Sequence, residues 1–326
     1  MNDYSNTNYL NFVESKFNQC FSNKKYYEEI PVDITSKIDA TTDFIGSTIS
    51  PLKKYVIENN IPKDGIFLIQ NCMKSKSLKY LKDYTPQKFG CYFKCMGILT
   101  TTHLQKTVFD TFDYLINYIK IDPADMCIRS CSQYKDLIEA IEYVDKDIKR
   151  EVDTVDLKHY RHKYGMDDQQ ITGRDFNIAI RKKGTNEYFN CAAFVIMENK
   201  YEKLAVDMAI GNCSLSLCKF GYNSTISSSR MGDILNIKTI ADEKFADALI
   251  AVSILLKENI LQHPSKHFRY KFKRYLNILM YWNQQYNYSS EELTKMIINF
   301  LELEYNNNYD YQNENWVKIL EKNRIK

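Results

Sequence analysis

No apolar run in this chain reaches the roughly 18–20 residues that a membrane-spanning helix needs, so no membrane partner is expected. The start, Met1-Asn2-Asp3-Tyr4, has no charged-then-apolar leader, and a cytoplasmic protein is expected. Neither sign of charge dominates: 44 Lys+Arg against 41 Asp+Glu leave a net +3. No global field calls for a nucleic-acid partner, so any such contact has to come from a local patch. Glycine and proline are scarce, 10 and 6 residues beside 25 tyrosines, a bias that points to AT-rich coding rather than to a chemistry. Serine–histidine–acid patterns, a phosphate-cradling Gly-rich loop and HExxH are all missing. No catalytic residue can be named from such motifs.

The nine cysteines form no disulfide-like framework; in a cytosolic chain most read as small buried hydrophobes. Cys91-x3-Cys95 and Cys127-x3-Cys131 lack the two-residue spacing of zinc knuckles, with only His159-x2-His162 nearby. No metal site is assigned. Beside Arg161 and Lys163, those histidines read as a solvated basic face.

At 326 residues, 44% hydrophobic and 26% charged, the chain has room for two domains and a large core. Alternation and helical periodicity predict strands at 41–49, 66–72, 90–102, 126–130, 176–181, 188–198 and 203–208. Helices are predicted at 7–17, 51–59, 103–119, 134–144, 211–220, 241–260, 266–285, 290–304 and 313–322. The charged segment 145–170 reads as an exposed insertion. Long strands with interleaved helices, then helices alone, predict an α+β fold in two domains, 1–225 and 226–326.

The most distinctive segment is 246–277. It carries an apolar helix, a Pro264-Ser265 break, and a second helix opening on Lys266, Arg269, Lys271, Lys273 and Arg274 with no acid among them. Ala246-Asp247, Pro264-Ser265 and Tyr270…Lys273-Arg274 resemble the helical tRNA-recognition domain of alanyl-tRNA synthetases. Earlier segments resemble the class II catalytic core of that family: Tyr9-Leu10…Phe12-Val13, Asp39-x-Thr41-x-x-Phe44, Gln70-Asn71-Cys72, Phe93-x-x-Met96-Gly97, Gly173…Ile178, Val195-Ile196-Met197-Glu198 and Val206-Asp207…Gly211. The resemblance implies an antiparallel sheet flanked by helices, then an all-helical domain, trimmed of any editing domain. It also implies a homodimer through 30–59.

The family's chemistry is positioning and charge stabilisation around ATP and magnesium, and here the resemblance breaks. Met73 and Ser214 stand where the family has arginines, Cys213 and Lys94 where it has glutamates, and Ile98 and Asn177 replace further polar contacts. The resemblance therefore implies a paralogue eroded at the ATP site. It would keep a small amino-acid pocket on Asp207, with Gln70, Gly211 and Phe93 beside it, and a tRNA surface at Arg269, Lys271, Lys273 and Arg274. Two alternatives stay open: an active ATP- and Mg2+-dependent ligase with a rebuilt nucleotide site using Lys94, Arg174 or Arg181, and a pure RNA-binding or regulatory module. Blander readings also stand, with Asp207 a helix cap, Phe93 a core aromatic and 266–274 a solvated face.

Overall fold

A computed structural model describes residues 5–101, 103–164, 170–306 and 313–323. The chain opens with α1 (Asn6–Asn23), capped by the Ser5 side chain, which accepts from the Asn8 N–H. Then come β1 (Tyr27–Glu28), α2 (Ile49–Ile57), β2 (Ile66–Met73), β3 (Tyr92–Thr100) and α3 (Leu104–Asp113), which runs on through a π turn at Tyr114–Tyr118. Next are β4 (Met126–Ser130), α4 (Lys135–Ile141), β5 (Lys149–Val152), β6 (Arg161–Lys163), β7 (Thr172–Arg181), β8 (Tyr188–Glu198), β9 (Lys203–Gly211) and α5 (Asn212–Phe220). Four helices close the chain: α6 (Ile240–Lys257), α7 (Lys266–Tyr286), α8 (Ser290–Tyr305) and α9 (Asn313–Lys322).

The strands form one sheet in the order β1-β2-β3-β9-β8-β7-β4-β5, with β6 added alongside β7. Its centre is antiparallel as expected, while the end pairs β1/β2 and β4/β5 are parallel. The α+β assignment stands. Alternation divides the sheet into two faces. Phe67, Met96, Ile98, Phe176, Phe194 and Met208 pack on one face under α1, α3 and α5. Ile66, Leu68, Leu99, Val195 and Met197 pack on the other with Ile49, Leu52 and Val56 of α2. Gly97 lets α2 approach, because a Cβ there would collide with the Thr48 side chain.

A third apolar cluster is built mainly by α6, α7 and α8. Capping boxes start α6 (Thr239 with Asp242) and α8 (Ser289 with Glu292). α6 is buried almost all round and forms its centre. Three carboxylates tie these helices to the strand-bearing part. Asp247 Oδ1 accepts from the Cys91 N–H at 2.8 Å, and Glu258 accepts from the Ile34 and Thr35 N–H groups at 2.7 and 3.0 Å. Glu304 meets Arg230 Nη1 at 3.1 Å and Lys94 Nζ at 3.2 Å.

Two expectations fail. Residues 41–49 are not a strand: the Asp39 side chain accepts from the Thr41 N–H and hydroxyl, and this local turn displaces β pairing. Nor is 145–170, of which 165–169 lie outside the described residues, only an exposed insertion, although its described part is mostly exposed. It supplies β5 and β6, whose mostly exposed side chains leave no periodic apolar signal.

Candidate functional site

A row of small residues hollows the α2-side face of the sheet. Asn177, Ala193, Ala209 and Gly97 stand opposite one another on β7, β8, β9 and β3. Next to that row, Cys95 faces Gly211. Small side chains on four adjacent strands leave space above the backbone. A cavity of about 640 Å³ opens there, within the size range of small-molecule sites. Its walls come from the loop before α2 (Thr41, Gly46, Ser47), from Lys53 of α2, from Lys74, and from His162 and Tyr164 at β6. The start of α5 adds Cys213 and Ser214.

Asp207 lies in this cavity, 6% exposed. Its Oδ2 accepts a long 3.5 Å bond from the Tyr164 hydroxyl, and its buried Oδ1 has no partner. Burial pushes its carboxyl up to about 7, against the lowering effects of His162 and Tyr164. Two strands away, Asp175 occupies the same cross-strand row, with Val195 between them. Asp175 Oδ2 is 2.9 Å from His162 Nε2 and accepts from Asn177 Nδ2 at 3.2 Å; its Oδ1 is also buried and unpartnered. Burial pulls His162 down, but the hydrogen bond and charge of Asp175 outweigh it and leave the imidazole above its usual value. At this end Asp207 is the carboxylate that lines the cavity, with Asp175 buried against His162.

Cations line the cavity too. Lys53 is held 2.8 Å from Asp39. Lys74 sits 5.3 Å from the Phe93 ring centroid, covering one face of that ring. Lys163 also borders the space, and no arginine among the described residues does. Burial pushes the Cys213 thiol up to about 12 and Cys191 well above its ordinary value, so neither is a thiolate nucleophile at neutral pH. Among the described residues no group of three or more His, Cys, Asp or Glu side chains could hold a metal ion. The arrangement suits binding a small molecule with a positive end.

The structure brings together some of the singled-out residues and separates others. Asp207, Gly211 and Phe93 line the cavity, as do Cys213, Ser214 and Asn177. Gln70 is fully buried beside it, its amide donating to Val32 O and Asn71 O and accepting from the Val32 N–H. Met73 points into the helical cluster. Lys94 lies one residue out of phase with Phe93 and Cys95, so it leaves through the other face to meet Glu14 at 3.1 Å and Glu304. Arg174 is out of phase with Asp175 in the same way and grips Asp136 and Glu198. Arg181 pairs with Asp125 at a separate cavity.

On α7 the acid missing locally comes from afar: Asp43 takes Lys271 and His267, both at 2.9 Å. Arg269 donates to His263 O, Phe268 stacks on Phe44, and Phe272 is core. Lys273 and Tyr270 remain exposed, with Arg274 half-buried. His162 is a correction: it faces Asp175 at the cavity rather than a solvated surface. Sequence reasoning missed it, together with Tyr164, Lys74 and Asp175.

No family model and no curated protein sequence matches this chain. Among solved structures it is similar to a pyrrolysyl-tRNA synthetase of Desulfitobacterium hafniense, at 10% identity and TM-score 0.39 over 66% of this chain and 70% of that one. It is similar to asparaginyl-tRNA synthetase of Pyrococcus horikoshii at 6% identity and TM-score 0.42, over 70% and 67% of the two chains. For S. aureus histidyl-tRNA synthetase the values are 8% identity and TM-score 0.38, over 62% and 67%. Likenesses this distant carry no statement about what this chain binds.

Proposed function

We propose that the chain is an alanyl-tRNA synthetase-like protein that binds a small amino acid or related amine, with its ammonium on Asp207, and that its ATP site is eroded. One observation carries the reading: a buried carboxylate with an unpartnered oxygen faces a cavity of small-ligand size. A cation delivered there would replace the missing donor and restore the carboxylate's charge. The neutral side chains Cys213, Ser214 and Asn177 at the cavity wall support the eroded half of the proposal. So does the absence of any arginine among the described lining residues, because removing one fixed contact to a developing charge costs about 2.7–4 kcal/mol of transition-state stabilisation.

The active-ligase alternative, which would use ATP and Mg2+, draws no support from Lys94, Arg174 and Arg181, since acids away from this cavity hold all three. A division near residue 225 would cut through the third apolar cluster, where Ile34, Phe44, Met73, Leu81 and Tyr92 pack with α6, α7 and α8. A tRNA surface on α7 would rest on Lys273 and Arg274 rather than on Lys271. Melting with each of a panel of amino acids, with and without ATP, tests the reading. We expect an amine-dependent rise in melting temperature that Asp207→Asn abolishes, and no amino-acid-dependent ATP–pyrophosphate exchange. Robust alanine-dependent exchange defeats the eroded site; no stabilisation by any amine defeats the pocket.

A further inference from the structure

On the opposite side of β8 and β9 from the Asp207 cavity lies a second hollow of about 590 Å³, bordered by α1, α5, the loop after α3 and the β7–β8 hairpin. Five cations rim it: Lys120, Arg181, Lys182, Lys183 and Lys219, against the acids Asp122 and Asp125. Arg181 is taken by Asp125, and Lys182 donates to Asn223 Oδ1 at 2.7 Å with Glu187 3.8 Å away. Among the described residues, Lys120, Lys183 and Lys219 have no acid within ion-pair distance. Each is exposed. A chain of net +3 thus places three uncompensated lysines around one concavity.

The hollow is built as well as charged. The Lys183 N–H donates to Cys218 O at 2.9 Å and pins the hairpin to α5, while Gly184 turns the tip at φ +77° over open space. The floor includes Ile119, Ile180 and Leu215. A run of rings continues from the rim: Phe12 to Tyr9 at 6.2 Å, Tyr9 to Phe220 at 5.6 Å, and Phe220 to Tyr222 at 6.0 Å. Lys219 Nζ lies 6.0 Å from the Tyr9 ring centroid, and Phe12 is 39% exposed.

We infer that this surface binds a single-stranded nucleic-acid segment, with the three lysines on its phosphates and the ring run offering Phe12 to a base. A free polyphosphate would use the lysines but not the rings, and a duplex would hide its base faces. The inference does not depend on the Asp207 site.

The test is fluorescence anisotropy of a labelled oligouridylate of about 12 nucleotides with the full chain, at about 50 and about 200 mM salt. We expect Lys120→Ala/Lys183→Ala/Lys219→Ala to weaken binding at least about tenfold at low salt and to flatten the salt slope by about two, at about 0.7 per lost phosphate contact. Phe12→Ala should cost about fivefold, while the exposed Lys200→Ala, at the far end of β8 from the hairpin, should bind as the parent does. If the triple variant does not fold, the exposed single change Lys183→Glu serves, judged by the same loss of affinity. The inference is overturned by no binding at low salt, by unchanged affinity in the lysine variants, by equal affinity for a duplex of the same length, or by displacement with stoichiometric inorganic pyrophosphate.

Discussion

Glu304 and Asp207 are both carboxylates buried against the sheet, 4% and 6% exposed, yet their surroundings are opposite. Glu304 has Arg230, Lys94 and the Tyr92 hydroxyl, all within 3.2 Å. Burial pushes it up, but those two cations outweigh the push and hold it below the usual carboxylate range. Asp207 has one long bond and an orphan oxygen, and burial carries it up to about 7. A buried acid completed by its own chain is architecture. One left incomplete beside a cavity is a socket for something the chain does not supply.

The largest effect that sharpens this contrast should come from Arg230→Met. It strips the cation from Glu14 and Glu304 in a site where Arg230 is 1% exposed, and should lower stability by about 3–5 kcal/mol in urea unfolding. A near-neutral result would erase the distinction between the two acids.

Next comes Asp207→Asn, which should raise the melting temperature of the ligand-free protein by about 3–6 °C at pH 8. The sign follows from the raised carboxyl. Between about pH 4 and about 7 the folded protein keeps a proton that the unfolded chain has lost, so stability falls as pH climbs through that window. The advantage of the variant should therefore vanish near pH 4; a pH-independent difference would contradict the assignment. His162→Gln removes a charge that lowers Asp207, so the decline of stability with pH should start where it does in the parent and run on to a higher pH.

Smallest is Lys271→Ala. Its partner Asp43 is 38% exposed, and chemical denaturation should show a loss of no more than about 1 kcal/mol.

Much of this architecture was legible beforehand. The boundaries of β8 match the alternation limits of 188–198, and α5 to α9 fall within a few residues of their periodic segments. Asp207 stood out at a strand end and does line the cavity. The cations were harder. Lys94 and Arg174 attract notice by charge, but a strand turns its side chain over at every residue, and Phe93 and Asp175 claim the cavity side. Applying that parity to Phe93-x-Cys95 would have turned Lys94 away.

His162 and Tyr164 lie on or beside a three-residue strand in a charged segment, where hydrophobic periodicity is silent. Residues 41–49 looked like β-branched strand because the bond that turns the chain at their start, from the Thr41 N–H to the Asp39 side chain, leaves no periodic signal. Asp43 could not be paired with Lys271 from sequence, since 228 residues separate them.

The clasp of Asp247 on Cys91, with Glu258 and Glu304 reaching across beside it, also bears on how the molecule comes apart. Pulling the C-terminal helices free would leave three acids stranded at once, each having lost amide or cationic partners. The protein has separate oily interiors, yet scanning calorimetry should record a single heat-absorption peak.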